Sequence, residues 1–185
     1  VSATTDLVVS IDAGNVVTVT VLSADWNGAE TITFTATDGS GLSGSDAATF
    51  TVTGVNDVPV ANDDIATTSE DTAVMVDVLA NDVDVDGDAL TVTLVTPGAN
   101  GTVTFTDSDV TYTPNLNFNG ADSFTYDISD GNGGSDTATV SVTVTAVDDA
   151  PIVTGIPDQM VNESSAFSTF DLDLYLTEFD GDAVT

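Results

Sequence analysis

The chain has no cysteine, lysine, arginine or histidine among its 185 residues. Without cysteine there is no disulfide and no thiol chemistry. Without lysine a Lys–Asn isopeptide staple is impossible, and without any cation no internal salt bridge can form. Catalysis by a His, Cys or Lys base or nucleophile is excluded as well. Paired carboxylates alone can run a glycosidase, but nothing in the sequence marks two acids as flanking a cleft, so the expectation is that the chain is not an enzyme. No apolar run is long enough to cross a membrane, and no signal or lipidation motif is present. Long stretches of period 3.6 are also missing, so no helix of consequence is expected.

What the chain does have is 31 acidic residues, a net charge of −31 and 41% apolar residues. That apolar content is enough for a core, so the charge does not imply disorder. Segments such as 15–21, 102–106 and 137–144 alternate Val or another apolar residue with Thr at period two, which reads as strands with one buried face. Turn clusters separate them at 12–15, 38–41, 97–101, 107–109 and 130–134. Short strands at such spacing predict an all-β fold of immunoglobulin-like antiparallel β-sandwiches. Trp26, Phe34, Phe105, Phe118, Phe124 and Tyr126 fall at strand positions expected to face the core.

The chain repeats itself. The run from Thr51 through Asp57 and Pro59 to Val60 recurs from Thr143 through Asp149 and Pro151 to Ile152, about 92 residues later. Asn27-Gly28 with Phe34 and Asp38-Gly39 recurs as Asn119-Gly120 with Tyr126 and Asp130-Gly131. Glu70 recurs as Glu163, and Asp86-Gly87-Asp88 as Asp180-Gly181-Asp182. Residues 57–150 hold a complete set, 1–56 only the back of a module and 151–185 only the front. The run ending at Thr185 continues in pattern into Val1, so the 185 residues are expected to be one period of an array cut inside a module. Neighbouring copies of the same repeat, head to tail, are the expected partners, joined covalently or through donated strands.

The acids gather in turns and linkers rather than along strand faces. Their field repels nucleic acid and anionic membranes, and neutralisation must come from solution. The densest group, Asn81 to Asp88, opens like an EF-hand loop with D-x-D-x-D-G but lacks the twelfth-position acid, where Thr93 stands. Oxygen ligands at alternate positions still suit Ca²⁺, and oxygen-only donors argue against zinc or copper. Two carboxylates about 5 Å apart at an effective dielectric near 20 repel by roughly 3 kcal/mol, so acidic elements meeting at a module joint call for a divalent ion.

These marks together, above all Val55-Asn56-Asp57-Val58-Pro59, Val147-Asp148-Asp149-Ala150-Pro151, Glu70, Glu163 and the Asp-Gly-Asp loops, resemble the cadherin-like and bacterial Ig-like tandem repeats of giant secreted adhesins. The resemblance implies calcium at the joints, held by Asp38, Asn56, Asp57, Glu70, Asp84 and Asp86 at one and by Asp130, Asp148, Asp149, Glu163, Glu178 and Asp180 at the other. The chain departs from the cadherin pattern in its shortened linker and in Asp38-Gly39 and Asp130-Gly131, which replace Asp-Arg-Glu. The implied function is a calcium-stiffened spacer of an extracellular or cell-surface filament. The alternative is a carbohydrate-binding module, for which Tyr112 or Tyr175 would have to supply an exposed aromatic platform.

Overall fold

The structure is a computed structural model that describes residues 6–179. Regular structure begins with two hairpins, β1 (Leu7–Ile11) with β2 (Val17–Val21) and β3 (Gly28–Thr37) with β4 (Ser43–Val52). A complete sandwich follows, made of β5 (Asp64–Ser69), β6 (Val74–Val76), β7 (Thr91–Val95), β8 (Gly101–Phe105), β9 (Val110–Pro114), β10 (Gly120–Ser129) and β11 (Ser135–Thr145). The last described stretch holds β12 (Ile152–Val153), a 3₁₀ turn at Leu172–Tyr175 and β13 (Leu176–Thr177). Among the described residues the only helical elements are this turn and a second at Val78–Ala80.

In the sandwich one sheet has the order β5-β11-β10-β7 and the other β6-β9-β8. Period-two patterning builds the core. Along β11, Ala138, Val140, Val142 and Val144 are buried while the intervening residues face out, and β10 contributes Phe124, Tyr126 and Ile128 the same way. Val110 and Tyr112 come from the facing sheet, and Tyr112 stacks on Phe124 at 6.0 Å between ring centroids. One pair departs from the antiparallel rule: β5 runs parallel to β11. The first and last strands of the sandwich therefore point the same way, and the chain enters at one pole and leaves at the other. An end-to-end array needs that geometry. Phe105 was expected inside but is 43% exposed, because it ends β8, where the facing sheet offers no cover.

Two polar clusters brace the sandwich. The Tyr126 hydroxyl lies 2.9 Å from the Asn62 carbonyl, 3.0 Å from Asp64 and 3.2 Å from Asp82. Burial raises the carboxyl pKa values of Asp64 and Asp82, and their mutual repulsion adds to the rise at Asp64. At the other end Asp122 accepts from the Tyr112 hydroxyl at 2.8 Å and from the Asn100, Ala99 and Ser123 amides. Burial alone would raise Asp122, but these donors outweigh it and hold the carboxyl below its ordinary value of 3.8. A depressed carboxyl contributes stability that is complete above the unfolded value and is lost as pH falls through the folded one. Asp64 and Asp82 act in the opposite sense, with a contribution present below 3.8 and lost as pH rises through their raised values. Urea unfolding of Asp122→Asn is therefore expected to show a shallower loss of stability below about pH 4 than the parent chain. An unchanged acid limb would remove Asp122 from the account.

The hairpin β3–β4 repeats β10–β11 pair for pair. Gly28↔Val52 through Thr37↔Ser43 becomes Gly120↔Val144 through Ser129↔Ser135. The front segment repeats too. The Val60↔Val83 bridge of the sandwich reappears as Ile152↔Thr177, and the 3₁₀ turn at Val78–Ala80 as that at Leu172–Tyr175.

Candidate metal centre

The tight turns of 84–88 and 130–134 are dictated locally. Asp84 Oδ1 accepts from the amides of Asp86 and Asp88 at 2.9 and 3.2 Å, and Gly87 takes a φ of 79° that a side chain would resist. Asp130 Oδ1 accepts from the Asn132 and Gly134 amides at 2.8 and 2.9 Å. Both turns lie at the pole where the linker enters. Asn56 donates its side-chain amide to Asp130 at 2.8 Å, the Asp57 amide donates to Asp86 at 2.7 Å, and Asn132 donates to Asp88 at 2.7 Å. The Asn56 amide, joined by the Asn132 and Gly134 N–H groups, holds the Asp130 carboxyl below its ordinary value.

Carboxylate oxygens of Asp84, Asp86 and Asp88 all lie within 4.8 Å of one another. At an effective dielectric near 20 each such pair repels by about 3 kcal/mol before salt screening. Asp84 Oδ2 is buried with no hydrogen-bond partner. Asp25, from the loop between β2 and β3, lines the same cleft as Asp57 and Asp84. These are hard oxygen donors in the mixture of carboxylate and amide that suits Ca²⁺.

Glu70 belongs to the other pole. It follows β5, its amide bonds the Thr145 carbonyl at 2.9 Å, and its Oε1 accepts from the Val147 amide at 2.5 Å. Only 3% of Glu70 is exposed, and Oε2 is buried without a hydrogen-bond partner.

The joints are thus grouped differently from the sequence expectation. Asn56, Asp57, Asp84 and Asp86 do meet, but the fourth acidic element beside them is Asp130, with Asp88, Asn132 and Asp25 that the sequence reading left out. Glu70 lies a full strand away from them, beside the linker that carries Asp148 and Asp149. Asp38 sits at the far end of the ten-residue β4 from that linker, so the chain cannot bring it to Asn56. The Asp38 turn nevertheless copies the Asp130 turn, accepting from the Ser40 and Leu42 amides at 2.8 and 2.9 Å. Glu163 is exposed and Glu178 half-buried, while Asp180 lies outside the described residues. Tyr112, a candidate for a glycan platform, is wholly buried against Phe124, and Tyr175 is half-buried edge-on to Phe170.

Gly134 explains how linker and turn approach so closely. A Cβ there would fall 2.9 Å from Pro59 Cδ and 3.0 Å from Val58 Cα. Gly134→Ala is expected to cost about 1–3 kcal/mol in thermal or urea unfolding and to loosen the linker from the turn. A variant as stable as the parent would show that this contact is slack.

With that geometry in place, similarity to known proteins can be set beside it. Residues 56–143 match the bacterial Ig domain family. The complete sandwich is an Ig-like domain, and the match stops short of the flanking half-modules. No curated protein matches the chain. Among solved structures the protocadherin gammaB7 EC3-6 cis-dimer is similar over 85% of this chain and 43% of its own, at 19% identity and a TM-score of 0.49. The human desmocollin-1 ectodomain is similar over 80% and 33%, at 13% identity and 0.39. An endo-fucoidan hydrolase of glycoside hydrolase family 107 is similar over 82% and 25%, at 22% identity and 0.40. The chain spans less than half the length of each. Among the described residues no helix is long and apolar enough to cross a membrane.

Proposed function

We propose that the chain is a structural repeat of an extracellular or cell-surface filament, a spacer whose joints are stiffened by Ca²⁺ and whose modules continue head to tail. The observation that carries this is the pole where linker, Asp84–Asp88 loop and Asp130 turn are hydrogen-bonded into one acidic assembly, with Asp84 Oδ2 buried and unpartnered. An ion there would be held by Asp84, Asp86, Asp88 and Asp57, with Asn56, Asn132 and Asp130 fixing the linker around it. It would supply the charge that no side chain of this protein provides. Asp25 reaches the same cleft from the preceding half-module, so the ion would tie two modules rather than brace one. Glu70 would serve the following joint beside Asp148 and Asp149. The parallel β5–β11 pairing supports the mechanical role, because force applied at the ends runs along the strands from pole to pole.

The role requires no catalysis, and an Ig-like domain without a cationic side chain is suited to scaffolding. Differential scanning calorimetry in chelator and across a CaCl₂ series at fixed ionic strength tests the reading. A Tm that climbs with Ca²⁺ but not with equivalent NaCl supports it, whereas equal response to both salts would make the acids a saline coat.

A further inference from the structure

The two hairpins that open the chain are the back of a sandwich with its inner face uncovered. Positions that are sealed in the complete module are open here. Val110 is 0% exposed but Val17, which leads the corresponding strand, is 41% exposed. Phe34 and Phe50 stand where Tyr126 and Val142 are buried, yet both are half-exposed and line an apolar cleft with Val17 and Val19. In the complete module that face is closed by the front segment, 57–95. Among the described residues the chain carries one other front segment, 151–179, and it has no hairpin of its own to cover. It too exposes apolar surface, including Ile156 at 45% and Leu172 at 48%.

The two halves are matched in chemistry as well as shape. In the complete module the hydroxyl of Tyr126 is anchored by Asp64 and Asp82. Counting from the equivalent bridges Val60↔Val83 and Ile152↔Thr177, Asp64 corresponds to Ile156 and Asp82 to Leu176, while Tyr126 corresponds to Phe34. Three positions on three separate elements have changed together from a polar triad to an apolar one. A phenylalanine beside two aspartates, or a tyrosine beside isoleucine and leucine, would leave buried polar groups unpaired. The joint change makes sense only if residues 151–179 pack on a hairpin like 28–52.

We propose that the open face of residues 6–52 is a docking surface for residues 151–179 of a second copy of this chain, which completes the sandwich and propagates head to tail. This deepens the spacer reading, on whose array it rests, by naming how copies join. Each joint site is incomplete without it. Glu163, exposed here, would take at the first joint the buried place that Glu70 holds at the second, accepting from the amide of Val55 of the second copy as Glu70 accepts from Val147. Asp38 would receive Asp148 of the second copy as Asp130 receives Asn56. The contact is heterologous, so it extends into a filament instead of closing into a dimer. Because each copy carries a net charge of −31, association strengthens as ionic strength rises.

The test is sedimentation of the full chain from about 1 to about 200 µM in chelator, at low and high NaCl. Two full-length variants accompany it: Phe50→Asp, which spoils the acceptor face, and Leu172→Asp, which spoils the donor. The expected result is a mass that climbs through successive multiples with concentration and salt. Each variant alone stays monomeric, and mixing the two gives a one-to-one dimer that grows no further. The complete module lies outside both substitutions, so its own melting transition certifies that the variants are folded. A parent chain that stays monomeric throughout overturns the proposal, as do variants that assemble like the parent or fail to pair when mixed. Filaments whose melting ignores Ca²⁺ would instead sink the calcium reading and leave this inference standing. A monomer whose melting follows Ca²⁺ would do the reverse.

Discussion

Glu70→Gln is expected to move stability in opposite directions on the two sides of a calcium titration. In chelator the native carboxylate is 97% removed from water by the figure of 3% exposure, has one oxygen satisfied by the Val147 amide and has the other unpartnered. A buried charge without a counter-ion is costly, and no cation exists in this chain to relieve it. Replacing it with a neutral amide that keeps the Val147 contact should raise stability by about 1 kcal/mol. In saturating Ca²⁺ the order inverts, because the parent gains the binding free energy of an ion at that pole and the variant does not. Unfolding monitored in urea at both extremes reads the sign directly. A variant destabilised in chelator would show that Glu70 is held by the sandwich itself and is not reserved for a ligand.

The second large effect belongs to the other pole. Asp84→Asn, Asp86→Asn and Asp88→Asn combined should remove most of the calcium-dependent stabilisation of the joint that contains Asn56 and Asp57. At a free Ca²⁺ concentration about a hundredfold above its Kd, one site adds about 2.7 kcal/mol, and that increment should vanish. In chelator the same substitutions relieve carboxylates crowded within 4.8 Å, so the triple variant should melt above the parent. The Asx-turn geometry survives, since asparagine accepts from the Asp86 and Asp88 amides as aspartate does. Retention of the full calcium response would move the ion away from this loop.

How much of this was legible beforehand divides cleanly by the kind of information involved. Alternation placed the strands around 28–52 and 120–145, and the recurrence of Asn-Gly and Asp-Gly set the register of both hairpins. Phe124 and Tyr126 sit in the core as their positions in β10 required. Pole assignment was harder. Which end of the sandwich a turn occupies depends on how many strands separate it from another turn, a count that composition and spacing do not supply. Four strands, β7 to β10, separate the Asp84–Asp88 loop from the Asp130 turn, so the even count brings them together. A single strand, β4, separates Asp38 from the linker, and the odd count sends it away. The same parity would have pointed to Asp130. Asp25 and Asn132 carried no such signal, because one lies in an irregular loop and the other acts through a side-chain amide that any turn tolerates.

The account stands on calcium acting at the joints, and calorimetry of the chain in chelator, CaCl₂, MgCl₂ and NaCl at matched ionic strength tests that most directly. It predicts a Tm that rises with CaCl₂ in a saturable way, more weakly with MgCl₂ because six to eight converging oxygens suit the larger ion, and least with NaCl. A Tm that depends only on ionic strength, whatever the cation, would contradict it.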